Sequence, residues 1–139
     1  MTIPGPHHVF EDHTSEVRLR LHAPTLASLF EEAARALAEL MLEEAETPAV
    51  PQEVTVALHA RDREALLSDW LNELVFLSET RRCVYTDAQV LRVSDTSLEA
   101  VVRGVPPRVL RTAVKAATLH DLSVRELPGG YTATVVLDV

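Results

Sequence analysis

Cysteine is almost missing from this chain: Cys83 is the only one in 139 residues, so no internal disulfide can form and no CxxC zinc pair exists. Long apolar runs are missing too. None approaches the ~18 to 20 residues of a membrane span, and the opening MTIPGPHHVFED has no charged segment leading into an apolar one. These features predict a cytoplasmic protein without a membrane segment. Positive charge is scarce and scattered, with 13 Lys plus Arg against 21 Asp plus Glu for a net charge of −8. A surface of that sign repels phosphate backbones, which argues against direct, sequence-independent RNA or DNA binding and leaves any nucleic-acid role to a partner. HExxH and nucleophile-elbow patterns do not occur, and zinc chemistry has no support from spacing.

What is present is an ordinary globular composition, 47% hydrophobic and 24% charged with only four glycines, at a length that fits one domain with a real core. Past Glu16, the residues Val17, Leu19 and Leu21 alternate with Arg18, Arg20 and His22, the period of a half-buried strand. Pro24 and Thr25 end it and cap a helix, with Ser28 and Glu31 at a second capping-box spacing. In that helix Leu26, Leu29, Phe30, Ala33, Leu37, Leu40 and Met41 form a continuous apolar stripe. After Pro48 and Pro51, EVTVALH reads as a strand, Asp62 as a cap, and Leu67, Trp70, Leu71, Leu74 and Leu77 as a second amphipathic helix to about Glu79.

From Cys83 onward the pattern is strand-like: a hairpin turning at VSDTS, a loop at Pro106 and Pro107, strands in AVKAATLH and LSVREL, and a PGG turn into YTATVVLDV. The order predicts an α+β fold, a single domain spanning residues 1–139 with two amphipathic helices packed on one face of a mixed or antiparallel β-sheet. Residues 1–9 read as a flexible N-terminus.

Candidate chemistry concentrates at the two ends. Glu11, Asp12 and Glu16 crowd around His13 just before the first clear strand, which is either a solvated edge or a cation site. Asp138 ends the last strand, beside Val139 and its α-carboxylate; two negative groups so close are stable if exposed or neutralised by a cation. His120 and Asp121, as neighbours in a strand, would project to opposite faces, so a turn-forming role ranks ahead of a dyad. His7 and His8 have no partner at ligand spacing. Lys115 stands in an apolar strand, where an ammonium must be paired or reach out at a sheet edge. Cys83 reads as a passive thiol.

FEDHTSEVRLRLHAPTLASLFEEAARALAELM resembles the N-terminal half of the archease family, whose members show an acid-His-Thr-Ala-Asp-Val strand before a Thr-Leu-capped helix. LLSDWLNELVFLSET resembles the family's second helix, and AVKAATLHDLSVRELPGGYTATVVLDV its C-terminal strands with their penultimate aspartate. The resemblance runs from about Phe10 to the end. It implies a small accessory protein, not an enzyme, that activates an RtcB-type RNA ligase as its protein partner, promoting guanylylation and repeated turnover in tRNA splicing, tRNA processing and RNA repair. It also implies metal binding, by a site for Ca²⁺, or for Mg²⁺, built from Glu16, Asp138 and Val139. An oxygen-only ligand set suits such hard cations.

Two departures stand out. The family's aspartate is Glu16 here, one methylene and about 1.5 Å longer, and its alanine is Ser15. The segment RGVPPRVLRTAVKA is shorter than its family counterpart, although Lys115 matches the family's lysine and so joins Asp12, His13 and His120 as a further candidate. A different class of reading remains open: a small metal-dependent hydrolase with Glu16 or Asp138 as base and His13 or His120 as acid. No oligomer is implied by composition.

Overall fold

The computed structural model describes residues 3–13 and 15–139; Thr14 and the side chain of the candidate His13 lie outside the described residues. The chain runs β1 (His7–His13), β2 (Glu16–Ala23), α1 (Leu26–Met41), β3 (Leu42–Ala45), β4 (Gln52–His59), α2 (Arg63–Arg81), β5 (Val84–Val93), β6 (Ser97–Val105), β7 (Pro107–Leu110), β8 (Ala116–Ala117), β9 (Ser123–Leu127) and β10 (Gly130–Asp138). The α+β expectation is borne out. All described strand pairs are antiparallel, and the strands divide among three sheets: β1, β2 and β10 in that order with β8 and β9 both on the far edge of β10, β4-β6-β5, and the ribbon β3-β7.

Alternation sets the faces of the large sheet. Val17, Leu19, Leu21 and Ala23 on β2 are buried, and Ala133, Val135 and Leu137 stand opposite the first three of these on β10. On α1, Leu29, Phe30, Ala33 and Leu37 carry the apolar stripe into the same core. Thr25 caps α1, accepting from Ser28 N–H at 3.0 Å while the Ser28 hydroxyl accepts from Thr25 N–H at 3.1 Å. Glu31 takes no part in a cap: its carboxylate accepts from Val90 N–H at 2.9 Å, where β5 shifts register. This ties α1 to the three-stranded sheet.

Both helices touch both of the larger sheets, α1 meeting β2, β10 and β5 and α2 meeting β8, β9, β4 and β5. The expected single sheet under two helices is therefore two sheets with helices between them, because β4, β5 and β6 pair only among themselves. Lying between sheets, α2 is buried around more than one stripe, with Ala65, Leu66, Leu67, Ser68, Trp70, Leu71, Leu74 and Val75 all inside. Trp70 Nε1 donates to Phe30 O at 2.9 Å, satisfying the indole in the core.

Helix α2 also shortens the strand expected over AVKAATLH to two residues. Asn72 accepts from Ala117 N–H at 2.8 Å and donates to Ala117 O at 3.2 Å, and Glu64 accepts from Val124 N–H at 3.0 Å. Side chains of α2 thus satisfy backbone groups of β8 and β9 that a further strand would otherwise pair. Between them the chain turns at His120 and Asp121, with Asp121 at φ 53°. The PGG turn forms as expected, Gly129 taking φ 89° between the paired residues Leu127 and Gly130.

Residues 7–9, expected in a flexible stretch, instead open β1. The anchor is His8. Its Nδ1 lies 2.5 Å from Glu32 Oε2 and its Nε2 lies 2.6 Å from Glu39 Oε2, two carboxylates of α1, while Arg35 donates to the other oxygen of Glu32 at 3.0 Å. Glu32 is a buried acid, 6% exposed, and the His8 ring and the Arg35 guanidinium accompany it.

Candidate functional site

Register brings the two ends of the chain together: Glu16, first in β2, pairs with Asp138, last in β10. Val139 N–H donates to Ser15 O at 3.1 Å beside the pair, while Asp138 O turns away to accept from Lys115 N–H at 2.8 Å. That pattern defines a non-hydrogen-bonded antiparallel pair, the kind in which facing side chains approach most closely, with Cα atoms about 4.5 Å apart. Facing residues share one side of the sheet. Here it is the side away from the helices, since the next residues inward, Val17 and Leu137, are buried against the core.

Two carboxylates directly opposite each other repel. Arg18, two residues along the same face of β2, points elsewhere, to Asp121 at 3.4 Å and Glu11 at 4.0 Å. Among the described residues no ion pair reaches Glu16 or Asp138. Glu16 is exposed and Asp138 half-buried, so both remain open to an incoming ligand.

Asp12 is placed differently. It pairs with Val17 and therefore faces the helices. There it lines a cavity of 450 Å³ with Phe10, Glu16, Val139, Glu39, Arg111 and Thr112. The structure thus brings Asp12, Glu16 and Val139 to one opening, and Glu16 and Asp138 to one sheet face, with Glu16 common to both. Among the described residues no three His, Cys, Asp or Glu side chains converge tightly enough to hold a metal by themselves. A hard cation here would draw on the facing pair of carboxylates and on main-chain oxygen beside them.

Lys115 is exposed, lies just before the two-residue β8 and not within a strand as expected, and joins the site through its backbone, by the bond to Asp138 O. His120 Nε2 lies 3.2 Å from Asp121 Oδ2, both exposed in their turn. The turn-forming reading of this pair also holds, and the break from extended geometry explains why neighbours meet. Cys83 is fully buried, and burial raises its thiol above the ordinary range. Sequence reading missed His7 and His8: His8 bonds two acids of α1, and the His7 ring stacks on His22 with centroids 4.6 Å apart. A strand at 7–13 was the one signal that could have exposed both, through the faces it assigns.

Comparison with known proteins meets this geometry from the other side. The model of the Archease protein family (MTH1598/TM1083) matches residues 9–139. The chain belongs to the archease family. The archease of Methanosarcina mazei is 29% identical, with all of both chains covered. That of Archaeoglobus fulgidus is 31% identical over 94% of this chain and 97% of its own. Among solved structures, the solution structure of Methanobacterium thermoautotrophicum protein 1598 superposes with a TM-score of 0.67 at 26% identity, covering 95% of this chain and 98% of that one. A Thermotoga maritima crystal structure, of a protein described as an archease and possible chaperone, shares the fold with a TM-score of 0.65 at 21% identity, covering 96% and 99%.

Proposed function

We propose that this archease is a non-enzymatic activator of an RtcB-type RNA ligase, promoting ligase guanylylation and repeated turnover in tRNA splicing and RNA repair. In this reading Glu16, Asp138 and Val139 hold a divalent cation, Ca²⁺ or Mg²⁺. The observation that carries it is the non-hydrogen-bonded pairing of Glu16 with Asp138, two open carboxylates on one face. Such an arrangement costs stability unless something positive joins it.

When bound, a cation supplies the charge that lets both carboxylates stay ionised side by side. The chain's own residues do the rest. Val139 packs its side chain against the core and ties its N–H to Ser15, which fixes the end of β10 against the start of β2. Glu16 has one more rotatable bond than an aspartate, and the flexible six-to-eight-ligand sphere of Ca²⁺ accommodates that better than the strict octahedron of Mg²⁺. The net charge of −8 suits docking on a basic, RNA-binding partner surface. The hydrolase alternative gains little from the geometry, because His120 is turned to Asp121 and Arg18 stands beside that pair.

The test is guanylylation of an RtcB-type ligase with and without this protein. Stimulation by the wild type, lost with Asp138→Ala and Glu16→Ala, is expected. Full stimulation by both variants would remove the cation site from the account, and no stimulation by the wild type would remove the activator role.

A further inference from the structure

Spacing along the chain conceals His7 and His22, which strand pairing makes direct neighbours. They are register partners on β1 and β2, on the sheet face opposite the helices, where His7 is exposed and His22 half-buried. We propose that His7 and His22 form a two-imidazole site for a borderline transition-metal ion, Zn²⁺ or its neighbours Ni²⁺ and Cu²⁺, separate from the carboxylates at the other end of the same strands.

The separation of the rings fits. Two imidazoles on one ion, each with a metal–nitrogen distance of about 2.0–2.1 Å, have ring centres roughly 4.5–5.2 Å apart for cis to tetrahedral angles. The observed centroid distance is 4.6 Å. The rings are now stacked, 16° from parallel, and the final torsion of histidine is broad and soft. With His7 held by its Nδ1 bond to Gly5 O, it is the His22 ring that turns about that torsion to bring a nitrogen toward the side of His7 Nε2.

The tautomer fits as well. His7 Nδ1 lies 3.2 Å from Gly5 O, and a carbonyl accepts only, so Nδ1 carries the proton and donates. In the neutral ring that leaves the Nε2 lone pair free. A backbone carbonyl on the second ring nitrogen is the usual outer support of a metal-bound histidine, fixing both ring orientation and tautomer. For His22, burial first, then His7 and Arg20, lowers the pKa, so the ring is neutral and able to ligate at pH 7. Imidazole nitrogen is a donor for Zn²⁺, Ni²⁺ and Cu²⁺ and a poor one for Ca²⁺ or Mg²⁺, so the two sites take different ions. Water completes the coordination on the open face. An ion held here bridges β1 to β2 at the N-terminal end of the edge strand.

The experiment is a titration of the full chain with ZnCl₂ at pH 7.5, followed by NMR of the histidine rings and by competition with a chelating dye. One saturable equivalent that shifts His7 and His22 together is expected. His7→Gln and His22→Gln should each weaken it by roughly tenfold or more, the lower range seen even for loss of an outer support. Asp138→Asn should leave it unchanged, so the site stands or falls apart from the ligase-activator reading. Zinc shifts at His8, His59 or His120 in place of the pair, wild-type affinity in either glutamine variant, or no saturable binding below millimolar zinc would overturn it.

Discussion

Glu16 and Asp138, from opposite ends of the chain, face each other across β2 and β10 as a non-hydrogen-bonded pair. The fold places two acids where a β-sheet gains most from opposite charges or apolar contact. That placement is a local cost, which the proposed cation would offset.

Removing one acid should therefore stabilise the metal-free protein. Asp138→Asn and Glu16→Gln, melted in the presence of a chelator, are each expected to gain about 0.2–1 kcal/mol, the size of a cross-strand pair term. Loss of stability in both variants under chelation would show that the pair does not repel.

His8 should matter to the edge strand out of proportion to its place near the terminus. Both of its ring nitrogens lie on carboxylates of α1, those of Glu32 and Glu39. His8→Ala takes a partner from buried Glu32 and should cost about 2 kcal/mol, the range for hydrogen bonds to charged groups, read by urea unfolding. Faster hydrogen exchange should be concentrated in β1, and an unchanged β1 would contradict the anchor.

Stability should fall in mild acid, in part through His22. Its pKa is lowered in the folded state, chiefly by burial, while the unfolded chain titrates near the ordinary value of about 6.5. Between those values the unfolded state binds more protons, so the contribution is complete above about pH 6.5 and is lost as pH falls toward the folded value. His22→Gln should flatten the stability profile in that window, and an unaltered profile would contradict it.

Cys83 should be inert in the native protein and reactive once unfolded. It is 0% exposed, and its raised pKa keeps it a thiol at neutral pH. A Cβ at Gly104 would come within 2.5 Å of both Cys83 Sγ and Val84 O. Gly104→Ala is accordingly expected to destabilise by about 1–3 kcal/mol through overpacking and to speed labelling of the thiol by a maleimide. Slow labelling unchanged by the substitution would argue against this close approach.

Local signals carried much of the fold. The stripe of α1, the Thr25 and Asp62 caps, the β5–β6 hairpin and the PGG turn depend on neighbours in sequence, and each stands where periodicity placed it. What escaped depends on distant partners. Strands β3 and β7 are short and paired only to each other, and prolines around them read as loop. Strand β8 stops where Asn72 takes over its bonding, and Glu31 left its capping spacing for Val90 across the core. At the candidate site the meeting of Glu16 with Asp138 was expected from family resemblance, not from spacing, because strand order cannot be read from alternation. Asp12, grouped with Glu16 by proximity in sequence, faces the other side of the sheet. The histidines of β1 stayed hidden for the same reason: which side chains meet across a sheet is settled by register.

Calcium titration by calorimetry tests the central claim most directly. The wild type should bind one Ca²⁺ per chain, Glu16→Gln and Asp138→Asn should each weaken binding at least about tenfold, the span that 1.4 kcal/mol represents, and the double variant should not bind. Undiminished calcium affinity in the double variant, or no binding by the wild type, would contradict it.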